Sequence, residues 1–195
     1  MALRKIVYQD DPLLRKQSRE VKEITKRIHE LVEDMWETMY ESNGIGLAAP
    51  QVGVLRRVVV IDVTEPPEEE ISEEKEPEEK VESEIEKEPE IIKYVLINPE
   101  VIEVSEETVT EKEGCLSVPG KYGIVERPAS IKVKALDLSG EPFEIEGSGM
   151  LAKALSHEID HLNGILFTDI AESVESIEAA ELAELAEQTA EESSE

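Results

Sequence analysis

Residues 65 to 90 hold fourteen Glu and three Lys in 26 positions, with almost nothing large and apolar among them. Such a segment cannot bury enough surface to offset the entropy of ordering it, so it is expected to be a solvated loop or disordered. The 24 residues from Glu172 to Glu195 add nine Glu and no Lys or Arg. Val174, Ile177, Leu182 and Leu185 form one apolar stripe there, which predicts an acidic C-terminal helix that frays. With both segments set aside, the formal charge falls from −27 for the chain to −7 for the other 145 residues, an ordinary value for one compact domain. The acidity is peripheral, and the chemistry is expected in a single catalytic domain, residues 1–171, interrupted by the insert.

A chain with 47 acidic against 20 basic residues repels phosphate backbones and anionic headgroups, so neither direct nucleic-acid binding nor a membrane surface is expected. The first ten residues lack the apolar run of about 7 to 15 residues found in secretory signals, and no stretch reaches the roughly 18 needed to span a bilayer. A cytoplasmic protein is expected. The single cysteine, Cys115, cannot form an internal disulfide and is an inert thiol, a ligand or a nucleophile.

Ile28, Leu31, Val32, Met35 and Met39 recur at helical spacing before Asn43 and Gly44, predicting a first long helix. Residues 57–63, 94–97, 101–110 and 131–136 read as strands, and Asp137 to Pro142 as a hairpin turn. The period then changes: Met150, Leu151, Ala154, Leu155, Ile159 and Leu162 share one helical face that ends at Asn163 and Gly164. Helices at the ends and strands between them predict an α+β domain with mixed or antiparallel sheets around the second helix.

That second helix carries His157-Glu158-Ile159-Asp160-His161. A spacing of four puts both imidazoles on one face within reach of one ion, with Glu158 beside it as a base. An open divalent site lowers the pKa of water from 15.7 to about 7, which is the chemistry of amide hydrolysis. Catalytic sites of this kind take a third protein ligand. A third His three residues beyond Gly164 is absent, since Phe167 stands there. Glu181 has the spacing of a metallo-endopeptidase ligand, but the tail carries Glu at nearly every third position, so the match has little weight. Cys115 is the softer and stronger candidate. In Glu113-Gly114-Cys115-Leu116-Ser117 the glycine permits close backbone approach, which would aim the thiol and the Leu116 N–H at a common centre. Gly44-Ile45-Gly46-Leu47-Ala48-Ala49-Pro50-Gln51 formally fits a dinucleotide fingerprint, yet it follows a helix and runs through a proline toward a strand. It is better suited to lying along an extended peptide and presenting Gln51 to an oxygen that gains charge.

These three motifs, in this order, resemble those of peptide deformylase, over most of residues 3 to 170. The resemblance implies that Cys115, His157 and His161 hold one divalent ion, Fe(II) by family habit, with zinc, nickel or cobalt able to replace it. It implies Glu158 as general acid and base, and Gln51 with the Leu116 N–H as oxyanion donors. Ile45 and Gly46 would line the peptide groove, and Arg127 would pair with Glu113. The implied substrates are N-formyl-methionyl nascent polypeptides, met near the ribosome and relieved of formate. Two features depart from the pattern: Ser156 stands where many relatives have Gln, and the insert lengthens a usually short connection. The rival readings are an endopeptidase using Glu181 and a non-catalytic, metal-stabilised interaction protein.

Overall fold

The computed structural model describes residues 2–65 and 90–178. Helix α1 (Lys26–Glu41) leads into a short strand β1 (Gly46–Ala48), which is followed by a 3-10 turn over Ala49–Val52. Strands β2 (Val58–Glu65), β3 (Glu90–Val104), β4 (Thr108–Cys115), β5 (Val118–Pro128), β6 (Ser130–Leu136) and β7 (Pro142–Ser148) follow. The chain closes with α2 (Gly149–Leu162), α3 (Phe167–Ile170) and β8 (Ser173–Ser176). One sheet has the order β1-β2-β3-β6-β7 and a second the order β4-β5-β8, with every pairing antiparallel.

The larger sheet is covered on both faces, and β2 shows why its sequence lacks a polar face. Val59, Ile61 and Val63 pack with Leu151, Leu155 and Ile159 of α2, whereas Val58 and Val60 pack with Leu31, Met35 and Met39 of α1. Alternate residues of a strand point to opposite faces, so the part of β2 that lies between the two helices, Val58 to Ile61, is apolar on both faces, and polar residues enter only from Asp62 on. Each fully buried Leu or Ile of these clusters contributes about 1.5–3 kcal/mol. A third cluster of Leu14, Val118, Val125, Leu166 and Phe167 joins the smaller sheet to the rest.

The expected α+β architecture around the second helix is present, with differences in detail. Residues 101–110 are not one strand: β3 ends at Val104 and β4 starts at Thr108 in the other sheet. Val101, Val104 and Val109 are all exposed, so their alternation marks no buried face. Strand β5 has no counterpart in the sequence reading. The C-terminal helical segment starts later than its stripe predicts. Ser173–Ser176 pair with Lys121 to Ile124 of β5 as a strand, and helical backbone begins only at Ile177. An open strand edge outweighed the weak local preference of an Ala- and Glu-rich stripe. Leu182, Leu185 and Glu181, like the interior of the acidic insert, lie outside the described residues. Met150 departs from the buried face of α2 and is exposed.

Candidate metal centre

Helix α2 is buried on nearly every side, and His157, Glu158 and His161 are among its buried residues. Burying an unpaired ionisable group is costly, so three of them in one helix call for compensation or for function. Cys115 reaches them from the end of β4. There the register with β5 jumps from Gly114↔Tyr122 to Cys115↔Val118, closing a tight turn through Leu116 and Ser117. The thiol meets the helix: Cys115 Sγ lies 3.2 Å from His161 Nε2. One ligand atom from each of Cys115, His157 and His161 falls within 4.8 Å of the others. A thiolate and two imidazoles converging so closely fit a divalent transition ion, and no other group of three potential ligands is found among the described residues.

His157 is oriented from behind. Its Nδ1 donates to Glu113 Oε2 at 3.0 Å, which leaves Nε2 for the cluster. Arg127 grips the same carboxylate with Nε to Oε1 at 2.7 Å and Nη2 to Oε2 at 3.1 Å, and its Nη1 donates to Asp160 Oδ2 at 2.6 Å. Burial opposes ionisation of Glu113, but the hydrogen bonds from His157 and Arg127 outweigh it and hold its pKa down at about 2. Asp160 therefore acts on Arg127 and not on an imidazole. Ser156 donates to the Ala152 carbonyl at 2.8 Å within its own helix. His29 is exposed, and Met39 belongs to the core.

Glu158 is 4% exposed, its Oε2 has no hydrogen-bond partner, and burial pushes its pKa up to about 7. It fits only because β1 carries a glycine: a Cβ on Gly46 would stand 2.6 Å from Glu158 Oε1. Gln51 sits on the 3-10 turn with its amide fixed at both ends. Its Oε1 accepts from the Ala48 N–H at 2.8 Å, and its Nε2 donates to Ser117 Oγ at 3.2 Å and to Cys115 Sγ at 3.5 Å. Nothing local in the sequence marks Ser117, a hydroxyl 66 residues away, as the partner of that amide.

Ile45, Gly46, Gln51, Cys115, Leu116, His157 and Glu158 all line one cleft of about 440 Å³, together with Met150 and Ala154. His161, the remaining residue singled out in the sequence, lies behind them as the deepest member of the cluster, 1% exposed. The cleft combines apolar walls with a nucleating set of polar groups at its floor, the usual build of a small-substrate site.

Residues 3–176 match the family model of polypeptide deformylase. The peptide deformylase of Alkaliphilus metalliredigens is 50% identical over 171 residues, covering 87% of this chain and 97% of that protein. Peptide deformylase 1 of Clostridium acetobutylicum is 48% identical over 174 residues, 89% of this chain and 98% of that one. Among solved structures, the peptide deformylase of Thermotoga maritima superposes with a TM-score of 0.72 at 34% identity, over 89% of this chain and all of that one (100%). The Synechococcus elongatus enzyme in complex with actinonin superposes with a TM-score of 0.71 at 35% identity, over 87% and 79% of the two chains. A shared fold, near-half identity and coverage of the whole site together leave one conclusion: this chain belongs to the polypeptide deformylase family, whose members are metal-dependent amide hydrolases.

Proposed function

We propose that Cys115, His157 and His161 hold a single divalent ion, Fe(II) in the cell, and that Glu158, Gln51 and Leu116 remove formate from the N-formyl-methionine of newly made chains. The observation that carries this reading is the convergence of the Cys115 thiol on His157 and His161 within 4.8 Å, with a buried carboxylate alongside. A bound ion would supply Lewis acidity, bringing water near neutral pKa and polarising the formyl carbonyl. Zinc, nickel or cobalt also suits one thiolate and two imidazoles.

The protein's own groups do the rest. Glu158, unpartnered and near neutral pKa, takes a proton from the attacking water and returns it to the leaving amine, so formate departs as the free N-terminus forms. Gln51, its Oε1 held by the Ala48 N–H and one Nε2 hydrogen by Ser117, gives the other Nε2 hydrogen to the formyl oxygen in place of the long contact to Cys115 Sγ as charge builds there, and the Leu116 N–H adds a second donor. A preset donor costs no reorganisation in the transition state. Gly46 and Ile45 border the peptide, and Met150 with Ala154 offers apolar wall to the methionine side chain.

With Cys115 in the third position, the endopeptidase reading loses its reason to recruit Glu181. The folded body includes β8 beyond residue 171, so the proposed organisation is one catalytic domain with acidic appendages at 65–90 and in the tail. No described helix is long and apolar enough to cross a membrane. A cytoplasmic site of action and passing proximity to the ribosome follow from the substrate, while the charge of −27 disfavours direct RNA contact. The test is anaerobic formate release from formyl-Met-Ala-Ser with metal assayed on the same sample. One ion per chain and rapid release are expected, and a fully loaded Fe(II) or Ni(II) form that releases no formate overturns the reading.

A further inference from the structure

The cleft that contains Cys115, His157 and Glu158 is also lined by Lys112, Lys121 and Lys153. The carboxylates among its lining residues, Glu113 and Glu158, are both buried. In a chain with 47 acidic and 20 basic residues, the accessible wall of this cleft thus carries lysines and no exposed carboxylate. Lys153 is already neutralised by Glu111 at 2.6 Å. The other two are not: neither Lys112 nor Lys121 forms an ion pair with any described residue.

Both lysines border the cleft, Lys112 from β4 and Lys121 from β5. Lys112 stands three residues before Cys115 on β4, and its diagonal neighbour on β5 is Tyr122, the register partner of Gly114. Its Nζ sits 4.6 Å above the Tyr122 ring, whose hydroxyl donates to Glu175 Oε2 at 2.8 Å, so the ammonium is held by the ring with a carboxylate nearby but without an ion pair of its own. Lys121 adjoins Tyr122 and is held by the pairing of β5 with Ser176 of β8. A peptide with its formyl group at the cleft floor must lead its following residues out through the same cleft.

We propose that Lys112 and Lys121 are specificity determinants that favour formyl-methionyl peptides carrying Asp or Glu after the methionine. This rests on the deformylase reading of the cleft. Two fields compete over such a substrate. The whole-chain charge repels it, but much of that charge lies in the insert and tail, and at physiological salt it is screened beyond about 8 Å. Contacts inside the cleft act at shorter range, so the lysines win.

The test compares kcat/KM of the metal-loaded full chain for amidated formyl-Met-Ala-Ser, formyl-Met-Glu-Glu and formyl-Met-Lys-Lys. Partly exposed ion pairs of this kind support a preference of about three- to tenfold for the acidic peptide over the serine peptide, with the basic peptide slowest. The preference should shrink between 0.1 M and 1 M salt, where the screening length falls from about 10 Å to about 3 Å. The double substitution Lys112→Gln, Lys121→Gln should bring the acidic-to-basic ratio close to one, and Lys121→Glu should invert it. Equal kcat/KM for all three peptides overturns the preference while leaving the deformylase reading intact. Release of formate from none of them overturns the deformylase reading itself. The wild-type comparison decides the matter even if a variant fails to fold.

Discussion

Glu158 packs its carboxylate against the bare Cα of Gly46, where a methyl group would stand 2.6 Å from Oε1 and 3.0 Å from Cδ. The close approach couples the peptide-binding strand to the base. In Gly46→Ala the carboxylate has to move by several tenths of an ångström or more, while the metal ligands are untouched. We expect kcat/KM to fall about 100-fold, the usual cost of a misplacement approaching 1 Å, with metal content unchanged. Full activity in that variant would show that Glu158 does not need its observed position.

Removing the base itself separates chemistry from binding. Glu158→Ala should retain its ion and fold yet lose about 10²- to 10⁴-fold in kcat, the range for a positioned proton-transfer group. Formate release at a near-normal rate would remove Glu158 from the mechanism.

The thiol provides a readout that needs no catalysis. An ion that binds only the folded state stabilises it by about 2.7 kcal/mol at a hundredfold excess over Kd. In a protein of this size that is roughly 5–10 °C in Tm. Nickel should raise the Tm of the apo wild type by about this amount and leave Cys115→Ala almost unmoved. Equal shifts in both proteins would mean that the ion binds elsewhere.

Arg127 tests the support behind His157. It is 11% exposed and Glu113 only 2% exposed at the side chain, so Arg127→Met strands a buried carboxylate. Breaking a buried pair from one side costs about 3–5 kcal/mol. Loosening the imidazole should also weaken metal binding about 10- to 100-fold. Chemical denaturation reads the first effect and a competitive chelator titration the second. Loss of stability with unchanged metal affinity would confine Arg127 to a structural role.

Local chemistry made part of this molecule legible. The periodicity of α1, the unbroken apolar run of β2 and the paired histidines of α2 each have a cause within a few residues, so the sequence displays them. Strand β5 does not, because Pro119, Gly120, Gly123 and Pro128 all argue against a strand. It forms because Gly123 admits Phe167 and Ala171, whose side chains would stand 2.8–2.9 Å from any Cβ there. Strand β8 likewise depends on the free edge that β5 offers it. The same division runs through the site. The three motifs were visible one by one and the family resemblance implied the Arg127–Glu113 pair, but the Ser117 hold on Gln51 and the Arg127 bond to Asp160 join residues far apart in sequence, and no spacing announces them.

The register of β2 and β3 bears on the acidic insert. Their partners run in step from Val58↔Ile97 to Glu65↔Glu90, so residues 66–89 connect the two ends of an antiparallel pair. Ends in that relation can be joined by two residues, Asn-Gly being the favoured type I′ turn. Replacing residues 66–89 with Asn-Gly shortens the connection from 24 residues to two, which on loop-closure entropy alone stabilises the fold by about 2 kcal/mol. It also removes nine net negative charges from the chain. None of the residues bordering the cleft is touched, so kcat/KM on formyl-Met-Ala-Ser should change less than about threefold while the denaturation midpoint rises. A large loss of turnover in a well-folded replacement would mean that the insert takes part in forming the substrate groove.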